Sequence, residues 1–239
     1  MVATFKNYQD LSAFAANKII RLVKHKKNAV LCLAAGDTPA LTYHLVVETA
    51  KREAISFSEI IFTGLDEWVG IGPDIPGSCY YFLQQKIFGP LGIKKTQIHF
   101  FNSMATDLQQ ECNRINTIIQ TVDGIDLALV GIGLNGHVGF NEPGIDPAGN
   151  AHVVTLDEVT SIVGQKYFKT NTALSKGITL GMAQIMQARE VLLLANGAKK
   201  AAIIRRTLKE DISNAVPAGF ITTHPNGWIL LDEEAAAEL

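Results

Sequence analysis

The stretch Asn28–Pro39, NAVLCLAAGDTP, decides the fold. After Asn28, the seven residues to Ala35 are a continuous apolar run, too short for a helix and without alternation. Runs of this kind belong to strands buried on both faces of a parallel sheet. Gly36-Asp37-Thr38-Pro39 then reads as a tight turn into a helix. Thr38 is placed to cap it, and Pro39 sits where proline suits the first helical turn. That helix is expected to run to about Arg52. A strand followed at once by a helix start is the unit from which α/β folds are built.

The same grammar repeats outward. Before it, Leu11, Phe14, Ala15, Ile19, Leu22 and Val23 recur with helical period behind a possible cap at Asp10. After it, Ile60–Leu65 reads as a second buried strand, ending in Asp66-Glu67. Helices are expected over Gly77–Phe88, Asp107–Thr121, a stretch within Ile178–Ala188, and Ala198–Leu208. Further strands are expected at Gln97–Phe101, Ile125–Val130, Glu190–Ala195 and Trp228–Leu231. The alternation predicts one α/β domain over residues 1–239. It is a doubly wound, mostly parallel, Rossmann-like sheet with helices on both faces. The region Asp146–Ser175 has weak periodicity and is read as a loop that could cover a site.

Bulk properties narrow the function. Hydrophobic residues make up 47% of the chain and charged residues 18%, enough for a sizeable core. Net charge is −2 and the lysines and arginines form no stripe, which argues against nucleic acid as a partner. No apolar run approaches the roughly 18 residues of a membrane helix. The N-terminus, MVATFKNYQD, has no signal-peptide pattern. Cys32, Cys79 and Cys112 are widely spaced and odd in number, so they read as free thiols in a reducing cytoplasm. No Cys/His spacing suggests a metal.

Three strand ends carry polar residues of the kind catalysis uses. Gly36-Asp37-Thr38 precedes a helix, and free N–H groups there suit an anion. Asp66-Glu67 offers paired acids; in extended backbone Glu67 would face away from Asp66 and act as support. Gly131–Gly144, GIGLNGHVGFNEPG, places His137 and Glu142 in a glycine-rich turn after the apolar run Leu127–Val130. Gly131, Gly133 and Gly136 fit a dinucleotide fingerprint, but turn chemistry rather than a helix follows, so a nicotinamide or flavin site is not expected. Parallel topology would bring all three ends to one crevice. A phosphate cradle, a carboxylate and a His–acid pair together suggest chemistry on a sugar phosphate. Lys200, in a helix start after Glu190–Ala195, adds a cation for the phosphate. His25, His44, His99, His152 and His224 are read as structural or surface residues.

These residues carry a resemblance. Ala34–Pro39, Leu65–Gly70, Gly77–Gln85, Gly131–Gly144, Gly177–Gly181 and His224-Pro225 together resemble the glucosamine/galactosamine-6-phosphate isomerase (deaminase) family, related to the 6-phosphogluconolactonases. Lactonase relatives share the Gly-His portion but typically lack the Asn-Glu-Pro that follows, so Glu142 favours a deaminase. Leu65–Gly70, Pro76–Gln85 and Pro90–Ile93 resemble the galactosamine-6-phosphate branch more.

The resemblance implies a cofactor-free deamination of a hexosamine 6-phosphate. His137 would open the sugar ring, Glu142 would orient it, and Asp66 would shuttle the proton from C2 to C1. The candidate phosphate-binding residues are then Gly36, Asp37, Thr38 and Lys200, and the resemblance adds Lys166 in the place of a family arginine. Asn135 stands where some members carry aspartate, which puts a charge-relay role there in doubt. Asp37 stands where a small residue is usual, so its carboxylate is expected to turn away, or the cradle to be altered. The end of the chain at Leu239 suggests an enzyme without the allosteric tail of longer members, a monomer or small homo-oligomer. The alternatives are a 6-phosphogluconolactonase-type hydrolase and a non-catalytic sugar-phosphate sensor.

Overall fold

The apolar runs become one seven-stranded parallel sheet in the computed structural model, which describes residues 1–239. Numbered in chain order and given in spatial order, the strands are β1 (Val2–Phe5), β10 (Gly227–Asp232), β9 (Glu190–Ala195), β6 (Leu127–Gly131), β2 (Val30–Leu33), β3 (Ile61–Gly64) and β5 (Ile98–His99). Every neighbouring pair is parallel. All four residues of β2 are buried. Their side chains alternate: Val30 and Cys32 enter one apolar cluster, Leu31 and Leu33 the other. Helices α1 (Tyr8–His25) and α2 (Asp37–Arg52) supply Leu11, Ile19, Tyr43 and Val46 to the second cluster. Helices α4 (Leu108–Thr121), α6 (Met182–Met186) and α7 (Ala201–Lys209) supply Ile115, Ile185 and Ile204 to the first. The helices therefore flank the sheet on both faces, as the alternation predicts.

The strand order reverses between β2 and β6. From β2 the chain winds outward through β3 and β5; from β6 it winds the other way through β9 and β10. In open parallel sheets this reversal opens a crevice at the C-terminal strand ends. The turn at Gly36 and the glycine-rich loop at Gly131 leave from those two strands.

Several local expectations need correction. The cap of α1 is Asn7, whose side chain accepts from the Asp10 N–H at 2.9 Å; Asp10 lies inside the first turn. Thr38 does not cap α2. The N-cap is Gly36, with no side-chain bond, and its φ of +109° is a conformation glycine tolerates. The strand at the sequence's start, β1, was not expected. The acidic pair does not end β3 but opens β4 (Asp66–Trp68), part of a second, antiparallel sheet with β8 (Lys176–Thr179) and β7 (His152–Thr155). The expected helix within Ile178–Ala188 is the short α6, and residues before it pair in β8. The helix expected over Gly77–Phe88 is α3 (Cys79–Leu83), continued by a wider π turn, Gln84–Phe88. Asp146–Ser175 is not only loop: it holds β7, α5 (Glu158–Gly164) and a 3-10 turn, Gln165–Tyr167.

Cys32, Cys79 and Cys112 are unpaired and buried. His224 is buried, with Nε2 2.8 Å from the Ala188 carbonyl and Nδ1 accepting from the Asn226 N–H, a structural role. No helix is long and apolar enough to cross a membrane.

Candidate active site

A cleft of about 520 Å³ opens at the strand reversal. Its wall includes Gly36, Asp37, Thr38, Asp66, His137, Lys166 and Lys200. Seven of the nine residues singled out from the sequence thus line one cavity, while Asn135 and Glu142 stand behind His137.

Backbone geometry fixes the imidazole. Gly133 N–H donates to the His137 carbonyl at 2.9 Å, closing the turn. A Cβ built on Gly133 would overlap the His137 ring, so only glycine leaves the ring its place. The Asn135 side chain bonds both ways. Its Oδ1 accepts from the His137 N–H at 3.2 Å, and its Nδ2 donates to Glu142 Oε2 at 2.8 Å. An amide has both capacities, whereas an ionised carboxylate there would repel Glu142. Glu142 Oε2 lies 3.4 Å from His137 Nδ1. Burial works to raise the Glu142 pKa, but hydrogen bonds and charge from His137, with Thr160 and Asn135, outweigh it and hold the carboxyl below its ordinary range.

Asp66 comes from a different element. It starts β4, opposite Thr179 of β8. Part of its surface stays exposed, and it faces the cleft. Desolvation pushes its carboxyl up to about 6, opposed by the Cys79 side chain and the charge of His137. A carboxyl raised in this way is a stronger base when ionised, as proton abstraction from carbon requires. Glu67 points the other way and is buried. Its carboxylate accepts from the N–H groups of Trp68, Cys79 and Tyr80, each at 2.9 Å, and anchors the start of α3. It supports and does not reach the cleft wall.

The elements that carry Asp66 and His137 are tied by Thr179. Its Oγ1 accepts from the Phe140 N–H at 3.2 Å and donates within reach of the Leu65 and Leu180 carbonyls. A Cβ on Gly139 would come within 2.8 Å of that oxygen, in a backbone with φ +59°, so the loop approaches Thr179 only through a glycine.

The anion end is less simple than the sequence suggests. Lys200 ends a 3-10 turn, Ala198–Lys200, and its Nζ donates to the Ile132 carbonyl at 2.6 Å. Burial, and then the charge of Lys166, lower its pKa to about 8. Lys166 reaches across from the covering segment and pairs with Asp37 Oδ2 at 2.7 Å. Asp37 has therefore not turned away; it stands at the cleft and holds the cation that the resemblance gives to phosphate. Tyr167 lies over Gly36, its Oη 3.2 Å from where a Cβ would be.

Sequence reasoning missed Thr160. It is buried on α5, lines the cleft, and its Oγ1 lies 3.0 Å from His137 Nδ1. The Asp157 N–H, at the start of α5, reaches Glu142 Oε1 at 3.3 Å. No motif marks either contact.

Residues 6–230 match the family model described as glucosamine-6-phosphate isomerases/6-phosphogluconolactonase. A glucosamine-6-phosphate deaminase of Thermoanaerobacter pseudethanolicus is 41% identical over 232 residues, 97% of this chain and 92% of the relative. A putative deaminase of Escherichia coli K12, AgaI, is 40% identical over 230 residues, 95% and 90% of the two chains. A solved monomeric glucosamine-6-phosphate deaminase superposes with a TM-score of 0.96 at 35% identity, covering 100% and 99%. A 6-phosphogluconolactonase of Trypanosoma brucei, at 21% identity and a TM-score of 0.79, shares the fold. This chain belongs to the glucosamine-6-phosphate isomerase/6-phosphogluconolactonase family.

Proposed function

We propose that the protein is an aldose–ketose isomerising deaminase of a hexosamine 6-phosphate. The observation that carries this reading is the placement of Asp66 and the His137–Glu142 pair on one cleft, each from a separate structural element. In the proposed reaction, His137 transfers a proton from the anomeric hydroxyl to the ring oxygen and opens the pyranose. Glu142, held by Asn135, compensates the charge that the imidazole gains. Asp66 removes the C2 proton while O1 takes up a proton from the substrate's C2 ammonium, giving an enolamine, and Asp66 then returns its proton to C1. The resulting C2 iminium adds water, and ammonia leaves. The balance is hexosamine 6-phosphate plus water to ketose 6-phosphate plus ammonia, and proton transfers alone carry it. Gly36, Thr38, Lys200 and Lys166 form the phosphate end.

The finer reading is galactosamine 6-phosphate to tagatose 6-phosphate, supported by the runs Leu65–Gly70 and Pro76–Gln85. Glucosamine 6-phosphate to fructose 6-phosphate is the alternative. Ammonia release from each epimer, side by side at micromolar enzyme, is the test. The larger kcat/KM assigns the epimer; release from neither refutes the deaminase reading.

A further inference from the structure

His137 Nδ1 has two neighbours, Thr160 Oγ1 at 3.0 Å and Glu142 Oε2 at 3.4 Å. The hydroxyl is nearer, and it belongs to the covering segment rather than to the glycine-rich loop. A threonine hydroxyl has one proton to give and two lone pairs to accept with. An ionised carboxylate can only accept. The arrangement that satisfies all three groups runs in one direction. The imidazole Nδ1–H donates to Thr160 Oγ1, and the hydroxyl's own proton is left free to turn toward Glu142. Hydrogen bonding from Thr160 is among the causes that keep Glu142 ionised. The reverse direction, with the hydroxyl donating to a bare Nδ1, leaves two acceptors, Nδ1 and Oε2, facing each other at 3.4 Å. It also removes a donor from a buried carboxylate, which is unfavourable.

We propose that Thr160 is a positioning residue that fixes the catalytic imidazole as the Nδ1–H tautomer, leaving Nε2 bare to take the substrate proton. The assignment rests on the reading of His137 as the ring-opening group, and it adds what that reading lacks, the reason for one tautomer. It also gives the covering segment a chemical duty. Asp157 N–H and Thr160 Oγ1 sit one helical turn apart at the start of α5, and both complete the His137–Glu142 pair. Displacing α5 removes both together, so the imidazole is set for catalysis only when the cover is seated. Gly133, with no Cβ, leaves the ring the room it occupies against the loop.

The test is the nitrogen-15 spectrum of the histidine rings in the full-length protein near neutral pH, with the His137 signals identified by their loss in His137→Gln. The parent is expected to show a protonated Nδ1 and a bare Nε2. A parent with the proton on Nε2 overturns the proposal, whether or not any variant folds. Thr160→Val keeps shape and loses the hydroxyl. It is expected to mix the two tautomers and to lower kcat about tenfold, the worth of one such bond. Thr160→Ser keeps the hydroxyl and is expected to retain the parent spectrum and a kcat within about twofold, since the bond survives. Unchanged ring signals in folded Thr160→Val also overturn the proposal. The spectrum needs no substrate. Inactivity on both hexosamine phosphates would therefore refute the proposed function while leaving the tautomer result standing.

Discussion

Asp66→Asn should make the protein more stable and nearly inactive at once. The carboxyl moves from its ordinary 3.8 to about 6 in the fold, chiefly through desolvation. Each pKa unit is worth about 1.4 kcal/mol, so keeping the side chain charged at pH 7 costs the native state at most about 3 kcal/mol. The folded value lies above the unfolded one. Stability from the neutral form is therefore fully present below pH 3.8 and is lost as the pH rises through 6. Asparagine has the same shape and never pays this cost. Because Asp66 keeps some exposure to the cleft, a gain of about 1–3 kcal/mol at pH 7 is expected. For a chain of this size that is roughly 3–10 °C in Tm.

The gain should shrink steadily as the pH falls from about 7 towards 4, where the parent's own Asp66 becomes neutral in the fold. Glu67, raised to about 7 chiefly by burial, titrates over the same range, and the charge of Asp66 adds to its rise, so the difference between the two proteins reads Asp66 together with its effect on Glu67. Paired thermal melts at several pH values read the stability. Ammonia release reads the activity, which should fall on the order of 10²-fold or more with loss of the base. A Tm difference that is absent, negative or independent of pH would refute the account of the raised carboxyl. Undiminished ammonia release would remove Asp66 as the base, and comparable hydrolysis of 6-phosphogluconolactone by mutant and parent would favour the lactonase alternative.

Three other perturbations probe the rest of the cleft. Asp37→Ala frees Lys166 from its 2.7 Å partner; KM for a phosphorylated sugar should fall about two- to fivefold, the scale of an exposed ion pair, with little change in kcat. Gly133→Ala places a methyl group where the His137 ring lies; the fold should survive by circular dichroism while kcat drops about 10²-fold, as expected for a displaced catalytic group. Lys200 titrates near 8 and is cationic only below that value, so KM measured between pH 7 and 9 should rise with pH in the parent. In Lys200→Met, KM should be high throughout and flat across that range.

The sequence discloses most readily what depends on one strand or one turn. The runs at Ala29–Ala35 and Leu127–Val130 are apolar without alternation because helices cover both of their faces, and they are legible for that reason. The cradle turn is legible because glycine and proline punctuate it, yet the capping residue was misplaced. Gly36 fills the N-cap position with backbone alone, and a threonine two residues later looks like a better cap than it is. The small antiparallel sheet escapes notice. Its strands are three or four residues long and pair across gaps, Asp66 with Thr179 and Val154 with Gly177. Nothing in Gly177-Ile178-Thr179 distinguishes an inner strand from a connector until its partners arrive.

That hidden sheet decides the chemistry. Asp66 looks, in sequence, like the polar end of a buried strand, and a strand end alone would leave its side-chain direction undetermined. Pairing with Thr179 sets the direction: residues along β4 alternate, so Asp66 faces the cleft and Glu67 goes behind it to bind three backbone donors. The same Thr179 receives the Phe140 N–H from the loop that carries His137. One hydroxyl thus fixes the candidate base and the imidazole relative to each other, although they are 71 positions apart and hang from different sheets. The covering segment adds Thr160 from a third direction. Each contact joins residues with no sequence relation, which is why a chain whose fold can be read from its apolar runs reveals its candidate catalytic residues but not the hydrogen bonds that aim them.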